Sequence, residues 1–273
     1  MRISFGSSVQ GAAHIRMNQP CQDWHEICDI SNPEKHYTIL AVADGHGSSS
    51  CPYSADGARM ACRVFRDLLK EYCDSYDADA LRLFLSREKN RVAKDVDLRW
   101  KEEVRGCHER NMREPMLADG ADMENLYVMY GCTLLGVLVA NGFTYAFQLG
   151  DGDIVHVDEK GASHVIEGDK FLGVETYSLA STDAWKKAHS HLSANASTEQ
   201  CLYLLATDGM MNSHVSREEF YRTCRDYCTM FHDGEHREIE QHLDEWLSET
   251  SEAGCGDDIT AVLCYDGQSD DCR

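Results

Sequence analysis

Apolar residues along the chain follow two periods, one typical of buried strands and one typical of amphipathic helices. Continuous apolar and β-branched runs predict strands at residues 36–43, 132–140, 154–157, 201–207 and 259–265. Apolar residues three and four positions apart predict helices at 54–72, 80–107, 216–230 and 235–249. The dipeptide Asn141-Gly142 predicts a tight hairpin that leads into a further strand at 143–149.

The order of these elements predicts the fold class. Strands 132–140, 143–149 and 154–157 are joined by short turns and read as an antiparallel meander, whereas the helices come in separate blocks. This arrangement indicates an α+β layered fold. No Gly/Ser-rich linker divides the sequence, so we expect a single domain over residues 1–273, with 266–273 as a frayed acidic tail.

Charge restricts the partners of the protein. The chain has 26 Lys+Arg against 47 Asp+Glu, which gives a formal net charge of -21. A surface this acidic repels phosphates, and no block of basic residues offsets it, so we expect no nucleic-acid partner and no membrane partner. A site that gathers carboxylates around a hard cation fits this balance better.

The sequence favours a cytoplasmic protein. Residues 1–11 lack the charged and apolar regions of a signal peptide, and the longest apolar run, 132–140, is far below the roughly 20 residues that span a bilayer. The 13 cysteines are scattered and include no Cys-x-x-Cys pair. They therefore indicate reduced thiols, most of them packed as small apolar residues, rather than a disulfide framework or a zinc ribbon.

Four acidic positions share one pattern, an apolar strand that stops at or starts from an aspartate beside Gly or Asp. They are Asp44-Gly45, Gly150-Asp151, Asp208-Gly209 and Asp257-Asp258. Each pair alone is ordinary turn chemistry. Several aspartates converging at a sheet edge would repel one another unless a cation neutralised them, and oxygen ligands suit Mg²⁺ or Mn²⁺. Four such pairs, one followed by His46, favour a metal site.

These residues resemble a known family. The segments that carry the resemblance are, in order, Gln22-Asp23, Val42-Ala43-Asp44-Gly45-His46-Gly47, Gly131-Cys132-Thr133, Gly150-Asp151-Gly152, Thr207-Asp208-Gly209 and Asp257-Asp258-Ile259-Thr260. Together with the opening segment 11–23, they resemble the metal-dependent protein phosphatases of type 2C, in their bacterial branch. The resemblance implies a four-layer α-β-β-α fold, in which a central antiparallel β-sandwich is flanked by helices on both sides.

The resemblance also implies a centre of two Mg²⁺ or Mn²⁺ ions at one edge of the sandwich. By matching motif positions, Asp44 would bridge both ions and the carbonyl of Gly45 would bind one of them. Asp208 and Asp257 would complete the carboxylate set. Asp23 would either bind an ion directly or contact one of the ligands. Asp151 matches the position that helps to hold a third, more weakly bound ion.

The reaction implied by the resemblance is direct hydrolysis of a phosphomonoester. Water that bridges the two ions would attack phosphorus, so no phosphoenzyme is required. His46, beside the bridging Asp44, is the candidate general acid for the leaving alkoxide. Arg16 is the candidate catalytic residue that binds the phosphate through its guanidinium fork, and His14 is the alternative.

Three positions depart from the usual family pattern. Gln22 stands where an acidic residue precedes the aspartate, and this removes one negative charge from the shell that orders water. Asn212 stands where a second aspartate often follows Asp208, which argues against a tight third ion. Gly152 replaces the serine of a Gly-Asp-Ser motif, and we expect this change to be tolerated.

We expect the chain to be a metal-dependent serine/threonine phosphoprotein phosphatase that acts on a phosphorylated protein. Family analogy adds a Ser/Thr kinase as a partner. Two alternatives stay open: a catalytically weak phosphatase-like module that binds a phosphoprotein or kinase, and a hydrolase of small phosphomonoesters. Segments 80–107 and 111–124 are the candidates for a partner surface or a flap.

Overall fold

The computed structural model describes residues 2–31, 35–111, 120–167, 176–194 and 200–267. The strands are β1 (Arg2–Val9), β2 (Trp24–Ser31), β3 (His36–Ala43), β4 (Leu134–Ala140), β5 (Phe143–Leu149), β6 (Asp153–Asp158), β7 (Gly161–His164), β8 (His189–Ala194), β9 (Cys201–Ala206) and β10 (Ile259–Asp266). The helices are α1 (Ala12–Met17), α2 (Ser54–Ser75), α3 (Ala78–Arg87), α4 (Arg91–Arg110), α5 (Gly120–Val128), α6 (Asp208–Asn212), α7 (Arg217–His232) and α8 (His236–Ala253).

The strands form two antiparallel sheets that pack face to face. The first sheet has the strand order β1-β10-β9-β6-β7, and the second has the order β2-β3-β4-β5-β8. Helices α7 and α8 cover the outer face of the first sheet, and α2 and α4 cover the outer face of the second. The expected four-layer α-β-β-α fold is therefore confirmed.

Strand β3 shows why the apolar runs predicted strands correctly. Ile39 and Ala41 point toward the helix layer, whereas Leu40 and Val42 point into the space between the sheets. Side chains alternate between the two faces of a strand, so a strand covered on both faces is apolar at every position. The β4–β5 hairpin follows the prediction as well, with Gly142 at a φ of 88°, a conformation that favours glycine.

Antiparallel pairing brings several strand ends to one edge of the sandwich. Strand β9 ends beside the start of β10, and Ala206 pairs with Ala261. The start of β6 lies on the other side of the same residue, where Asp153 pairs with Ala206. Asp208 therefore follows a strand whose two neighbours both begin at this edge.

Two predictions about secondary structure were wrong. The single helix predicted at 80–107 is two helices, because the chain leaves the helical conformation at Glu88 (φ −98°, ψ 52°) before α4 begins. Both helices carry the same apolar spacing, so the break leaves no mark in the periodicity. The frayed tail was expected to begin at residue 266, yet Asp266 ends β10 and accepts a hydrogen bond from Arg2 at 2.7 Å. Residues 268–273 lie outside the described part.

The described cysteines are all free thiols, in agreement with the sequence. Cys224 is fully buried in the core beneath α7, whereas His232 at the end of the same helix contacts Gln200. The two side chains of α7 therefore have different surroundings. No helix within the described ranges is both long and apolar enough to cross a membrane.

Candidate metal centre

The acidic strand-end residues meet in a cleft of about 870 Å³ at one edge of the sandwich. Asp44 and Gly45 follow β3, Asp208 follows β9, and Asp257 precedes β10. All four line the cleft, as does Asp151 in the turn between β5 and β6. Residues far apart in sequence therefore surround one space, as the strand-end pattern predicted.

The loop after β3 is held by the segment that leads into β4. The backbone N–H of Asp44 donates to Thr133 Oγ1 at 3.0 Å, and the N–H of Thr133 donates to the Asp44 carbonyl at 2.8 Å. The N–H of His46 donates to the carbonyl of Gly131 at 3.1 Å. These bonds fix the direction in which Asp44 and His46 leave the sheet, and they give Gly131-Cys132-Thr133 a structural reason to accompany the acidic motifs.

Asp23 lies beneath the cleft and does not line it. Its side chain is buried and accepts a hydrogen bond from Thr207 Oγ1 at 2.7 Å. Burial raises the pKa of the Asp23 carboxyl well above its ordinary value, and the hydrogen bond from Thr207 opposes that rise. Thr207 immediately precedes Asp208, so Asp23 connects the start of β2 to the end of β9.

Asp44 and Asp208 form the most unusual contact of the cleft. Their carboxyl groups are close enough to share a hydrogen bond, and two carboxylates approach so closely only when a proton or a cation lies between them. Burial and the neighbouring carboxylates raise the pKa of Asp44 well above its ordinary value. Burial first, and then repulsion from Asp151 and Asp257, raises the pKa of Asp208 to about 6.

The donor set of the cleft fits hard divalent cations. It consists of carboxylate oxygens with the carbonyl of Gly45 beside them, which suits Mg²⁺ or Mn²⁺ better than zinc. Within the described ranges, no three His, Cys, Asp or Glu side chains are grouped closely enough to hold an ion. The carboxylates therefore line an open cleft rather than a closed cage.

Asp258 has a structural role that the sequence did not reveal. Its carboxylate accepts the backbone N–H of Gly11 at 2.6 Å and that of Gln22 at 2.7 Å. It also lies 2.8 Å from Nδ1 of His14. The side chain is 3% exposed. Asp258 thus anchors both ends of the segment that carries α1 against the start of β10, a contact across some 240 residues that no local pattern signals.

The two candidates for the phosphate contact lie in different places. His14 lines the cleft, with Nε2 at 3.8 Å from Asp257 Oδ1. Arg16 is exposed on α1 and lies outside the lining of the cleft, with its guanidinium beside Gly256. Positions i and i+2 of a helix are just over half a turn apart, so the side chains of His14 and Arg16 point in different directions.

His46 lines the cleft beside Asp44 and packs closely on the neighbouring loop. A Cβ atom at Gly131 would lie 2.7 Å from Cδ2 of the His46 ring, so the ring requires a glycine there. Burial lowers the pKa of His46, and the charge of Asp151 opposes this shift. An approaching phosphate dianion would oppose it further.

Two of the three departures from the family pattern lie in the cleft. Gln22 donates from Nε2 to Ser54 Oγ at 3.0 Å, and its buried Oε1 has no hydrogen-bond partner among the residues that the structure describes. Asn212 donates from Nδ2 to Asp208 Oδ2 at 3.0 Å. Both residues therefore place a neutral amide where another carboxylate would add negative charge.

The third departure, Gly152, is required by packing. A Cβ atom there would lie 2.7 Å from the carbonyl oxygen of Ala206 and 2.8 Å from Cδ1 of Leu135. Real Cβ atoms essentially never make contacts this short. A serine at this position therefore requires the two sheets to shift locally.

The family follows from comparison with known sequences. The model of the protein phosphatase 2C family matches residues 10–248, which include the cleft residues Asp44 and Asp208. The chain belongs to the protein phosphatase 2C family. This assigns it to the metal-dependent protein serine/threonine phosphatases. A search of curated proteins finds no match.

Solved structures agree on the fold. A bacterial serine phosphatase is 13% identical, with a TM-score of 0.65, and the match covers 98% of this chain and 100% of that one. The Mycobacterium tuberculosis serine/threonine phosphatase PstP/Ppp is 15% identical, with a TM-score of 0.59 and coverage of 98% and 99%. The catalytic domain of PstP in complex with two manganese ions is 14% identical, with a TM-score of 0.58 and coverage of 98% and 99%.

Proposed function

We propose that this chain hydrolyses phosphoserine and phosphothreonine in proteins, with divalent ions held in the cleft by Asp44, Asp208 and Asp257. The observation that carries the proposal is the close approach of Asp44 and Asp208, two half-buried carboxyls that need a positive charge between them at neutral pH. The family assignment supports the same reaction. A Ser/Thr kinase that supplies the phosphoprotein is the partner class that this activity requires.

The likeness to the PstP catalytic domain in complex with two manganese ions supports two ions in this cleft. Asp44, the carbonyl of Gly45, Asp208 and Asp257 would hold the ions. Mg²⁺ or Mn²⁺ bound there would lower the pKa of the attacking water and neutralise the phosphoryl oxygens. Asp151 is the added ligand for a third ion. The amide of Asn212 already occupies Asp208 Oδ2, so we expect that ion to bind weakly.

Two further roles, proton donation to the leaving group and contact with the phosphate, belong to other side chains near the cleft. His46, which lines the cleft, would donate a proton to the leaving serine or threonine oxygen, because that oxygen is too basic to depart as an alkoxide. The phosphate dianion itself favours the protonated ring. For the phosphate contact, the geometry supports His14 ahead of Arg16, because His14 faces the cleft and is held against Asp258.

The test is hydrolysis of p-nitrophenyl phosphate and of a phosphothreonine peptide, each with Mn²⁺ and with EDTA. We expect turnover that EDTA and Asp208→Asn both abolish. Asp226→Asn, which neutralises an exposed carboxylate on α7, is the matched control and should keep full activity. Turnover that persists in EDTA would contradict the proposal.

Two outcomes of the same test would favour the alternatives. Mn²⁺ binding by calorimetry without turnover of either substrate would indicate a binding module, a reading that the neutral amides of Gln22 and Asn212 support. A preference for small phosphomonoesters over the peptide, measured by competition, would indicate a small-molecule hydrolase.

A further inference from the structure

A basic and aromatic surface lies beside the cleft, on the helix side of the second sheet. Lys94, Leu98 and Arg105 are at positions i, i+4 and i+11 of α4 and so share one face of that helix. A short 3₁₀ turn, Ala184–Lys186, packs along α4 and brings Trp185 next to Lys94. We call Lys94, Leu98, Arg105, Trp185 and Lys187 the α4–Trp185 surface.

Two cations of this surface, Lys94 and Lys187, lie over aromatic rings. Lys94 Nζ lies 4.6 Å from the ring centroid of Trp185, and Lys187 Nζ lies 4.9 Å from that of Tyr177. A cation over a ring face keeps its charge. Across the described ranges, no carboxylate makes a salt bridge with Lys94, Lys187 or Arg105.

Two neighbouring lysines, in contrast, make salt bridges with carboxylates. Lys101 Nζ lies 2.7 Å from Asp97 Oδ1, and Lys186 Nζ lies 2.6 Å from Asp183 Oδ2. These two pairs are locally neutral, and Asp95, next to Lys94 in sequence, pairs with Arg91 at 2.8 Å. Lys94, Arg105 and Lys187 against the exposed Glu102 of α4 therefore leave an excess of positive charge at the α4–Trp185 surface, on a chain whose formal net charge is -21.

The surface also contains an exposed apolar position. Leu98 is 64% exposed, between Lys94 and Arg105 on the same helix face. A single exposed leucine needs no explanation. A leucine flanked by cations without a salt bridge in the described part of the chain, and next to a half-buried Trp185, is the composition that an acidic segment with an apolar side chain would complement.

One segment connects this surface to the cleft. Thr176 lines the cleft, and three residues later the N–H of Leu179 donates to the carbonyl of Cys132 at 3.0 Å. Farther along, the carbonyl of Ser181 accepts a hydrogen bond from Lys101 of α4 at 2.9 Å. This segment therefore runs from the lining of the cleft to α4, next to the 3₁₀ turn that carries Trp185.

We propose that the α4–Trp185 surface docks an acidic segment of the phosphoprotein substrate, with an aliphatic side chain against Leu98, while the phosphorylated residue occupies the cleft. The inference rests on the proposed function. The acidic remainder of the protein repels such a segment, so the basic surface fixes where it binds. Docking outside the cleft changes which phosphoproteins are chosen and leaves the chemistry of phosphate removal unaltered.

The experiment compares the double variant Lys94→Glu/Lys187→Glu with the unmodified protein on three substrates. Two are phosphothreonine peptides with the same core, one extended at both ends by Glu and Leu residues and the other by Gln and Ser. The third is p-nitrophenyl phosphate. We expect the variant to raise KM for the acidic peptide by about tenfold, with kcat unchanged and with the other two substrates unaffected.

Lys160→Glu is the matched control, because it reverses an exposed lysine in the β6–β7 turn. It should leave all three substrates unchanged. Equal KM values for the two peptides with the unmodified protein, or equal effects of the control and the double variant, would overturn the inference. Loss of turnover on all three substrates together with a lower Tm would show a structural role instead.

A binding measurement separates failure of docking from failure of the proposed function. Fluorescence anisotropy with the unphosphorylated acidic peptide should show binding that Lys94→Glu/Lys187→Glu weakens, whether or not the protein turns over any phosphate ester. If the surface instead binds phosphatidylserine vesicles and not the peptide, it recognises anionic lipid and the docking proposal is wrong.

Discussion

The space between the two sheets and the cleft at their edge are built by the same strands and have opposite physical character. Between the sheets, Leu40, Val137 and Leu205 are fully buried and stabilise the fold by removing apolar surface from water. In the cleft, burial raises the pKa of Asp44 and of Asp208, so their ionisation opposes folding. The apolar layer therefore holds in place a cluster of charges that would otherwise move apart.

The largest effect should come from removing a charge of the cleft. We expect Asp44→Asn to lower kcat/KM by at least about 10³-fold, because the carboxylate between the proposed ion positions is lost. The measurement is Mn²⁺-dependent hydrolysis of p-nitrophenyl phosphate. A loss of less than tenfold would show that Asp44 is not a ligand.

Removing an apolar side chain between the sheets should lower stability and leave the activity of the folded protein unchanged. We expect Leu205→Ala, between the sheets, to reduce the free energy of unfolding by about 2–5 kcal/mol and to leave the kcat of the folded fraction unchanged. Urea unfolding measures the first quantity. Val215→Ala is the control, because Val215 is 88% exposed and its truncation should cost almost nothing. Equal costs for the two variants would refute the comparison.

The proton donor can be tested through the leaving group. We expect His46→Gln to slow a phosphothreonine peptide by about 10²-fold, whereas p-nitrophenyl phosphate should be affected much less. Nitrophenolate is a stable anion and leaves without a proton. Equal losses on both substrates would mean that His46 does not act as the acid.

The smallest effect concerns the metal-free protein and pH. The pKa of Asp208 is raised from 3.8 to about 6 by burial and neighbouring carboxylates, so folding favours its protonated form. That contribution is present below about pH 4 and is lost as the pH rises through about 6; the two pKa values allow about 3 kcal/mol. Urea unfolding in EDTA at a series of pH values should show this loss, and Asp208→Asn should remove it. A stability that rises between pH 4 and 6 equally in both proteins would contradict the assignment.

The acidic motifs could be found from sequence because each depends on local structure. An apolar run ends at Asp44 or Asp208, and a strand end is by itself a position at a sheet edge. Antiparallel pairing then brings the ends together, so their convergence follows from topology and needs no long-range information. The roles of these residues as metal ligands stay a prediction.

Other features of the site depend on packing between distant segments. The choice between His14 and Arg16 is set by the way α1 is attached through Asp258, and the intolerance of Gly152 to a side chain is set by Leu135 and Ala206. Neither contact follows from the residues next to it in sequence. Segment 80–107 was a candidate partner surface, but the contribution of Trp185 to that surface could not be predicted, because Lys94 and Trp185 meet only in the folded chain.

The most direct test of the contrast between core and cleft is thermal unfolding of the unmodified protein and of Asp44→Asn, each in EDTA and in Mn²⁺ at pH 7.5. If the carboxylates repel one another until cations bind, the unmodified protein should gain several degrees in Tm with Mn²⁺. Asp44→Asn should be more stable than the unmodified protein in EDTA and should gain little from the metal. A variant that is less stable in EDTA, together with no response of the unmodified protein to Mn²⁺, would contradict a metal centre in this cleft.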